Sequence, residues 1–463
     1  MRAWLVLLLA AMLAGCAGFS SDGGFDAVAR TTQDRITKEV RWQRSDAERE
    51  RAASRVAELL ALPLSADAAV QVALVNNRGL QASLHELGIA EADVVQAGRL
   101  PNPGFSIGRS TQGNEIEREF GIHINLARLI MAPALSRLES RRFAQLQTTL
   151  TTQVLALAAD TRKAWVQAVA AEEGVRYMQQ VSQVAEASAE LVRRMVQVGN
   201  WNKLSQAREQ GFYADAALNL ARAEQAQRSA RERLVRLMGL WGAQLEFRLP
   251  ERLPDLPVAP QNLSNIEQTA MAQRLDVQAA KAAAEQMAQN LGLTRTTRFI
   301  NVLEFGARRT TSNELPVKRG YEVGFELPLF DWGGARVAKS EAIYMQAVEQ
   351  AAETAINARS EVREAYGAYR SHYDIARHVR DEVVPLKKRI AEENLLRYNG
   401  MLIGVFELLA DARSQIASVN AAIEALRDFW IAQADLDMAL LGKPSMNAMP
   451  TAAMAPAEAG VGH

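Results

Sequence analysis

Apolar residues at Leu150, Val154, Leu157, Trp165, Val169, Val175, Met178, Val181, Val184, Leu191, Met195 and Val198 recur mostly at steps of three, four or seven, the spacing of one helical face. Between positions 134 and 198 there is no proline and one glycine, Gly174. At 1.5 Å per residue such a helix is roughly 100 Å long. A rod of that length holds only by coiled-coil packing against neighbours of similar reach. After Gly199 the pattern predicts a returning helix over 203–237, about 50 Å long, and another of about 50 Å over 66–98. Laid end to end, these two match the long one. Elsewhere the period drops to two. In 319–329, Tyr321, Val323, Phe325 and Leu327 share one face, and Gly320, Glu322, Gly324 and Glu326 the other. In 119–126, Phe120, Ile122, Ile124 and Leu126 oppose Glu119, Gly121, His123 and Asn125. The 299–309 stretch alternates too, with Phe299, Asn301, Leu303, Phe305 and Ala307 opposite Ile300, Val302, Glu304, Gly306 and Arg308, and a shorter extended stretch covers 105–109.

The pattern occurs twice. Pro250, Pro254, Pro257 and Pro260 mark an extended linker, 246–265, between two parts with the same element order. The second part reads as a helix over 266–293, two strands, and a long helix over 338–398 that Pro385 kinks rather than ends. Gly121 corresponds to Gly324, Gly199 to Gly400, and Leu237-Met238-Gly239 to Leu440-Leu441-Gly442. The repeats are therefore 66–245 and 266–443, each helix, strand, strand, long helix, turn, helix.

Strands of this length with one apolar and one polar face have the pattern of a transmembrane β-barrel. Taken alone, they fit a half-buried antiparallel sheet in a soluble protein slightly better. The helices extending far from the strands tip the reading towards a barrel. Four strands cannot close one, because edge backbone groups would be unpaired in lipid. Copies must pool their hairpins, and three copies give twelve strands with threefold symmetry. The expected fold is mainly α with membrane β: a duplicated long-helix α-barrel joined to a trimeric twelve-stranded β-barrel, four strands per protomer.

The first residues add an address. Met1-Arg2 and the apolar run from Trp4 to Met12 resemble a signal peptide, too short to span a bilayer as a helix. Leu13-Ala14-Gly15-Cys16 is similar to the lipobox of bacterial lipoproteins, which implies removal of 1–15 and acylation of Cys16. Ala17, in place of an aspartate, implies sorting to the outer membrane. Residues 16–65 are then a lipidated N-terminal segment and 444–463 a flexible Ala/Pro-rich tail.

Composition narrows the function. In 463 residues, 53 basic side chains balance 53 acidic ones, which argues against a nucleic-acid-binding surface over the whole protein. One cysteine and five scattered histidines exclude a disulfide framework and argue against a metalloenzyme. Gly333-Gly334 lacks the spacing and following lysine of a phosphate loop and reads as a strand-to-helix bend. No nucleophile set or carboxylate pair is supported by spacing, so neither enzyme activity nor a cofactor is expected beyond the lipid on Cys16. Met446, Met449, Met454 and His463 are soft ligands of the kind that hold Cu(I), but a disordered tail accounts for them without metal.

Leu100-Pro101-Asn102-Pro103, the stretch Glu326 to Gly334 (ELPLFDWGG), Arg397 to Gly404 (RYNGMLIG) and Glu407 to Arg413 (ELLADAR) occur in an order that resembles the TolC-type outer-membrane efflux protein family. The resemblance implies a trimeric exit duct of a tripartite efflux pump or type I secretion system. Its partners would be a periplasmic adaptor and an inner-membrane transporter, its place the outer membrane of a Gram-negative bacterium. It also implies that Val198, Gly199, Asn200, Asn399, Gly400 and Met401 form tips that touch the adaptor, with glycine supplying positive φ at each turn. Ala410-Asp411-Ala412 resembles the family's acidic closing motif, though two residues further from the tip glycine than usual. Asp411 or Glu407, at i and i+4, is therefore a candidate periplasmic gate, and a solvated helix face is the alternative. The rival function is a lipid-anchored coiled-coil scaffold of the cell envelope.

Overall fold

The change of period from two to 3.6 is made by a single residue. Asn125 ends a strand, and its Oδ1 accepts the N–H of Arg128 at 2.8 Å, capping the helix that follows. The computed structural model describes residues 18–297, 303–325 and 329–444. Two helices, α1 (Phe25–Ile36) and α2 (Asp46–Leu60), precede the first repeat. That repeat comprises α3 (Ala66–Asn76), α4 (Arg78–Gly98), β1 (Gly104–Gln112), β2 (Glu115–Asn125), α5 (Leu126–Gln197) and α6 (Lys203–Met238). The second comprises α7 (Ile266–Gln273), α8 (Leu275–Thr297), β3 (Leu303–Ser312), β4 (Lys318–Phe325), α9 (Gly334–His378), α10 (Val384–Asn399) and α11 (Val405–Leu441). With 72 residues, α5 is about 108 Å long.

The four strands form one antiparallel sheet in the order β1-β2-β3-β4. The hairpins of the two repeats are joined through β2 and β3, in register from Glu117↔Ser312 to Asn125↔Glu304. Strands β1 and β4 are its edges. Among the described residues no helix is long and apolar enough to cross a membrane.

Both predicted entry helices are broken, at equivalent places. Asn77 (ψ 118°) divides 66–98, and Arg274 (ψ 125°) divides 266–293. In each case the break aims side chains at the carboxyl end of that repeat's last helix, where carbonyls lack helical partners. Asn76 Nδ2 donates to the carbonyls of Met238 and Gly239, and Asn77 Nδ2 to that of Leu237. Arg274 Nη1 donates to the carbonyl of Ala439 at 3.2 Å. The long helix α5 starts eight residues before the expected position 134 and takes in Pro133; Leu126, expected to end the strand, is its first residue. At Pro385 the chain stays helical rather than ending. A π-helical turn, Val379–Val383, widens the helix just ahead of the ring while the flanking backbone stays right-handed.

The linker is a strap across the middle of the rods. Tyr373 Oη donates to the carbonyls of Pro257 and Val258, and Trp430 Nε1 to that of Pro254. Beneath it, Trp165, Val169, Leu234, Met238, Phe247 and Leu253 form a buried cluster. Residues 18–65 are ordered rather than a bare tether. Val28, Val40 and Trp42 pack against Leu80, Leu84, Leu87, Leu150 and Val154.

Candidate functional site

Direct cross-strand partners share a face of the sheet, so the register sorts every strand residue. Phe105↔Ile122, Ile122↔Ala307 and Ala307↔Tyr321 form one apolar row, with Ile124↔Phe305↔Val323 and Leu303↔Phe325 beyond it. Of the residues assigned to this face from sequence, Phe120, Ile122, Tyr321, Val323 and Phe325 are exposed and Ile124 is half-buried. Leu327 lies outside the described residues. Phe105 and Ile107 of β1, inside the short predicted stretch 105–109 but assigned to no face there, belong to this face as well and are both strongly exposed. Around the helical ends of the strands, Ile130, Leu329 and Phe330 are exposed as well.

The opposite face is polar and ion-paired. Arg308 Nε meets Glu119 Oε1 at 2.9 Å, and the same guanidinium pairs with Glu322. Glu115, Glu117, Glu304 and His123 lie on this face too, with Lys318 4.0 Å from Glu117.

At the far end of the rods the chain reverses twice, by the same hydrogen-bond motif one residue out of step. In the first turn Gly199 has φ +79°; its N–H donates to the Val196 carbonyl at 3.1 Å, and Asn200 N–H to that of Met195 at 2.9 Å. In the second, Met401 N–H donates to the Tyr398 carbonyl and Leu402 N–H to that of Arg397, both at 2.9 Å. The left-handed residue is therefore Met401, φ +59°, and not Gly400, φ −79°, as the Asn-Gly pair suggested. Left-handed backbone costs a residue with a Cβ about 1–2 kcal/mol. Met401→Gly is thus expected to stabilise the second tip by about 1 kcal/mol, read as slower hydrogen exchange at Leu402 and Gly404; unchanged exchange refutes the strain. Val198 and Leu402 are exposed, and Met401 is 93% exposed. Nearby, hydrogen bonds from Arg193 and Arg194 pull the Glu190 carboxyl down to about 2.

Just above the tips the two hairpins are tied together. Glu209 of α6, 1% exposed, accepts from Arg413 of α11 at 2.9 Å and from Ser188 of α5 at 3.0 Å. The Arg413 guanidinium lies over the Phe212 ring, 4.1 Å from its centroid, and its Nε is buried without an acceptor. Asp411 is half-buried and accepts from Asn394 of α10, across the turn, whereas Glu407 is exposed. The sequence reading placed Asp411 and Glu407 together and overlooked Glu209, whose burial is created only by the packing of three helices.

Cys16, Met446, Met449, Met454 and His463 lie outside the described residues. Ser20, four residues after Cys16, bonds through its N–H and Oγ to Glu91 of α4. Glu91 is seven residues, about 10 Å, from the end of α4 at Gly98. Among the described residues no group of three or more His, Cys, Asp or Glu side chains is placed so that it could hold a metal ion.

No protein-family model matches the chain. It is 25% identical over 285 residues to the cobalt-zinc-cadmium resistance protein CzcC of Cupriavidus metallidurans; the match takes in 58% of this chain and spans 64% of CzcC's own length. Among solved structures, the CmeC outer membrane channel of Campylobacter jejuni superposes with a TM-score of 0.70, covering 81% of this chain and 85% of its own at 17% identity. CusC superposes with a TM-score of 0.67, covering 81% and 92% at 18% identity. These likenesses establish the fold.

Proposed function

This chain has the fold of the TolC-type outer-membrane efflux channels, and on that premise we propose that it is the outer-membrane exit duct of a tripartite efflux pump, lipid-anchored at Cys16 and working as a homotrimer. The observation that carries the proposal is the sheet. It has two bare edges and an exposed apolar face, which lipid tolerates only if further copies close the ring. Three protomers supply twelve strands, with β4 of one pairing β1 of the next. The ion-paired face then lines a water-filled passage, and the helices continue it away from the membrane. The anchor fits this placement. Four residues of extended chain span up to about 14 Å, enough to reach from Ser20, held at Glu91, to the strand-side end of α4 at Gly98.

The passage has a sign. On the polar face Glu115, Glu117, Glu119, Glu304 and Glu322 outnumber Arg308 and Lys318, which favours cationic cargo. The likeness to CzcC, a cobalt-zinc-cadmium resistance protein, agrees with a cation as the exported species. No chemistry is required of the duct; energy enters at an inner-membrane transporter. Val198, Met401 and Leu402 give the tips an apolar surface suited to a periplasmic adaptor. Above them, the Glu209–Arg413 pair holds the hairpins closed, while Asp411 and Glu407 would ring the narrowed mouth in three copies.

The test is purification from washed membranes, followed by planar-bilayer recording. The expected result is a urea-resistant trimer that conducts with cation selectivity, and that loses adaptor capture when Val198 and Met401 are both changed to Asp. Release of a non-conducting monomer by washing would overturn the reading and favour the scaffold. A trimer that still captures the adaptor after both changes would remove the tips from it.

A further inference from the structure

The apolar face of the sheet does not stay apolar. Towards the hairpin ends, Arg309 pairs with both Phe120 and Arg319, and Arg109 pairs with Arg118. Direct partners share a face, so four guanidinium groups sit on the same side as Phe105, Ile122 and Tyr321. They occupy the two rows next to those residues, with successive rows about 7 Å apart along the strands. All four are exposed, and none makes an ion pair among the described residues. The strand carboxylates lie on the other face. The contrast with the adjacent residue is direct: Arg308 is clamped between Glu119 and Glu322, whereas Arg309, one position on, faces Arg319.

Like charges directly opposed across strands repel, so these rows are unfavourable unless an anion lies over them. The face tells which anion. Below the arginines are rows that suit acyl chains, Phe105-Ile122-Ala307-Tyr321 and then Ile124-Phe305-Val323. Only an amphiphile with an anionic head and apolar tails matches both parts at once. A planar guanidinium binds phosphate through two parallel hydrogen bonds, and its stem lies along apolar surface while the head stays polar. We infer that Arg109, Arg118, Arg309 and Arg319 form a girdle that binds phosphate-bearing lipid headgroups at the distal rim of the β-sheet's apolar face. The inference rests on the reading of that face as lipid-facing. With three copies the girdle holds twelve arginines around the outside of the barrel. It would fix the depth and tilt of the barrel in the bilayer from the side opposite the lipid anchor.

The experiment uses the full-length trimer in nanodiscs of zwitterionic lipid doped with diphosphorylated lipid A, followed by native mass spectrometry after delipidation. The wild type is expected to retain lipid A over the zwitterionic lipid. The variant Arg109→Gln/Arg118→Gln/Arg309→Gln/Arg319→Gln should lose at least roughly tenfold of that retention, with single-channel conductance unchanged. The fourfold Arg→Lys variant should keep part of it, since charge remains and the two-pronged geometry is lost. Equal retention by wild type and glutamine variant overturns the girdle. So does displacement of lipid A by millimolar inorganic phosphate, which would mean simple ion binding. Should the fourfold variant fail to assemble, the pair Arg309→Gln/Arg319→Gln carries the same comparison. A wild type without conductance would instead sink the barrel reading, a separate and recognisable failure.

Discussion

Replacing Arg274 by leucine is expected to destabilise the protein by about 3–5 kcal/mol, enough to remove most folded chain from the membrane fraction. The guanidinium is 1% exposed. It donates to Asp276 at 2.6 and 3.0 Å, to Glu361 at 2.6 Å and to the Ala439 carbonyl at 3.2 Å. One side chain therefore joins the α7–α8 break to α9 and to the end of α11. Without it, two carboxylates and a carbonyl keep their shelter and lose their donor. Leucine fills part of the volume, so the loss is electrostatic rather than a cavity. The measurement is urea unfolding of the purified protein followed by circular dichroism. A second variant, Arg274→Leu/Asp276→Asn/Glu361→Gln, should recover a large part of the loss by removing the stranded charges. Recovery failing, or a single-variant loss under 1 kcal/mol, would show that the arginine is incidental to the repeat.

Cutting the tie above the tips should have the largest functional effect. Glu209→Ala with Arg413→Ala removes a half-buried charge-assisted bond between α6 and α11, worth about 1.5–3 kcal/mol. Each 1.4 kcal/mol is a factor of ten, so on the closing role proposed for this tie the ratio of open to closed duct is expected to rise roughly 10–150-fold. In planar bilayers this appears as long-lived openings several times larger in conductance than those of the wild type. The pair is well placed for release, because Arg413 Nε is already buried without an acceptor, leaving the tied arrangement short of one hydrogen bond. Asp411→Ala with Glu407→Ala is the companion experiment. If it alone raises conductance and the Glu209/Arg413 variant does not, closure belongs to the carboxylate ring and not to the tie between hairpins.

Much of this architecture was legible before any coordinate. Helix length, strand alternation and duplication follow from the repeat distance of apolar residues, a local property. The breaks at Asn77 and Arg274 were not legible. Neither is a glycine or proline, and the carbonyls each break reaches, three at Asn76 and Asn77 and one at Arg274, lie about 160 residues away. The second tip misled for a related cause. Asn399-Gly400 is the dipeptide a left-handed turn would choose, yet the hydrogen bonds put that conformation on Met401. Glu209 reads in sequence as any solvated helical glutamate, and only the crossing of α5, α6 and α11 buries it.

The pairing of β2 with β3 has a kinetic consequence. Glu117 meets Ser312 across 195 residues of chain, so the first hairpin waits for its neighbour until most of the polypeptide has been made. At about 5–20 residues per second, that interval is roughly 10–40 s. Throughout it, Phe105, Ile107, Phe120 and Ile122 stand beside an unpaired strand edge, a template for pairing with other chains. A nascent chain of this topology is at its most vulnerable halfway through synthesis, and biogenesis must shield that half-built ribbon until its complement arrives.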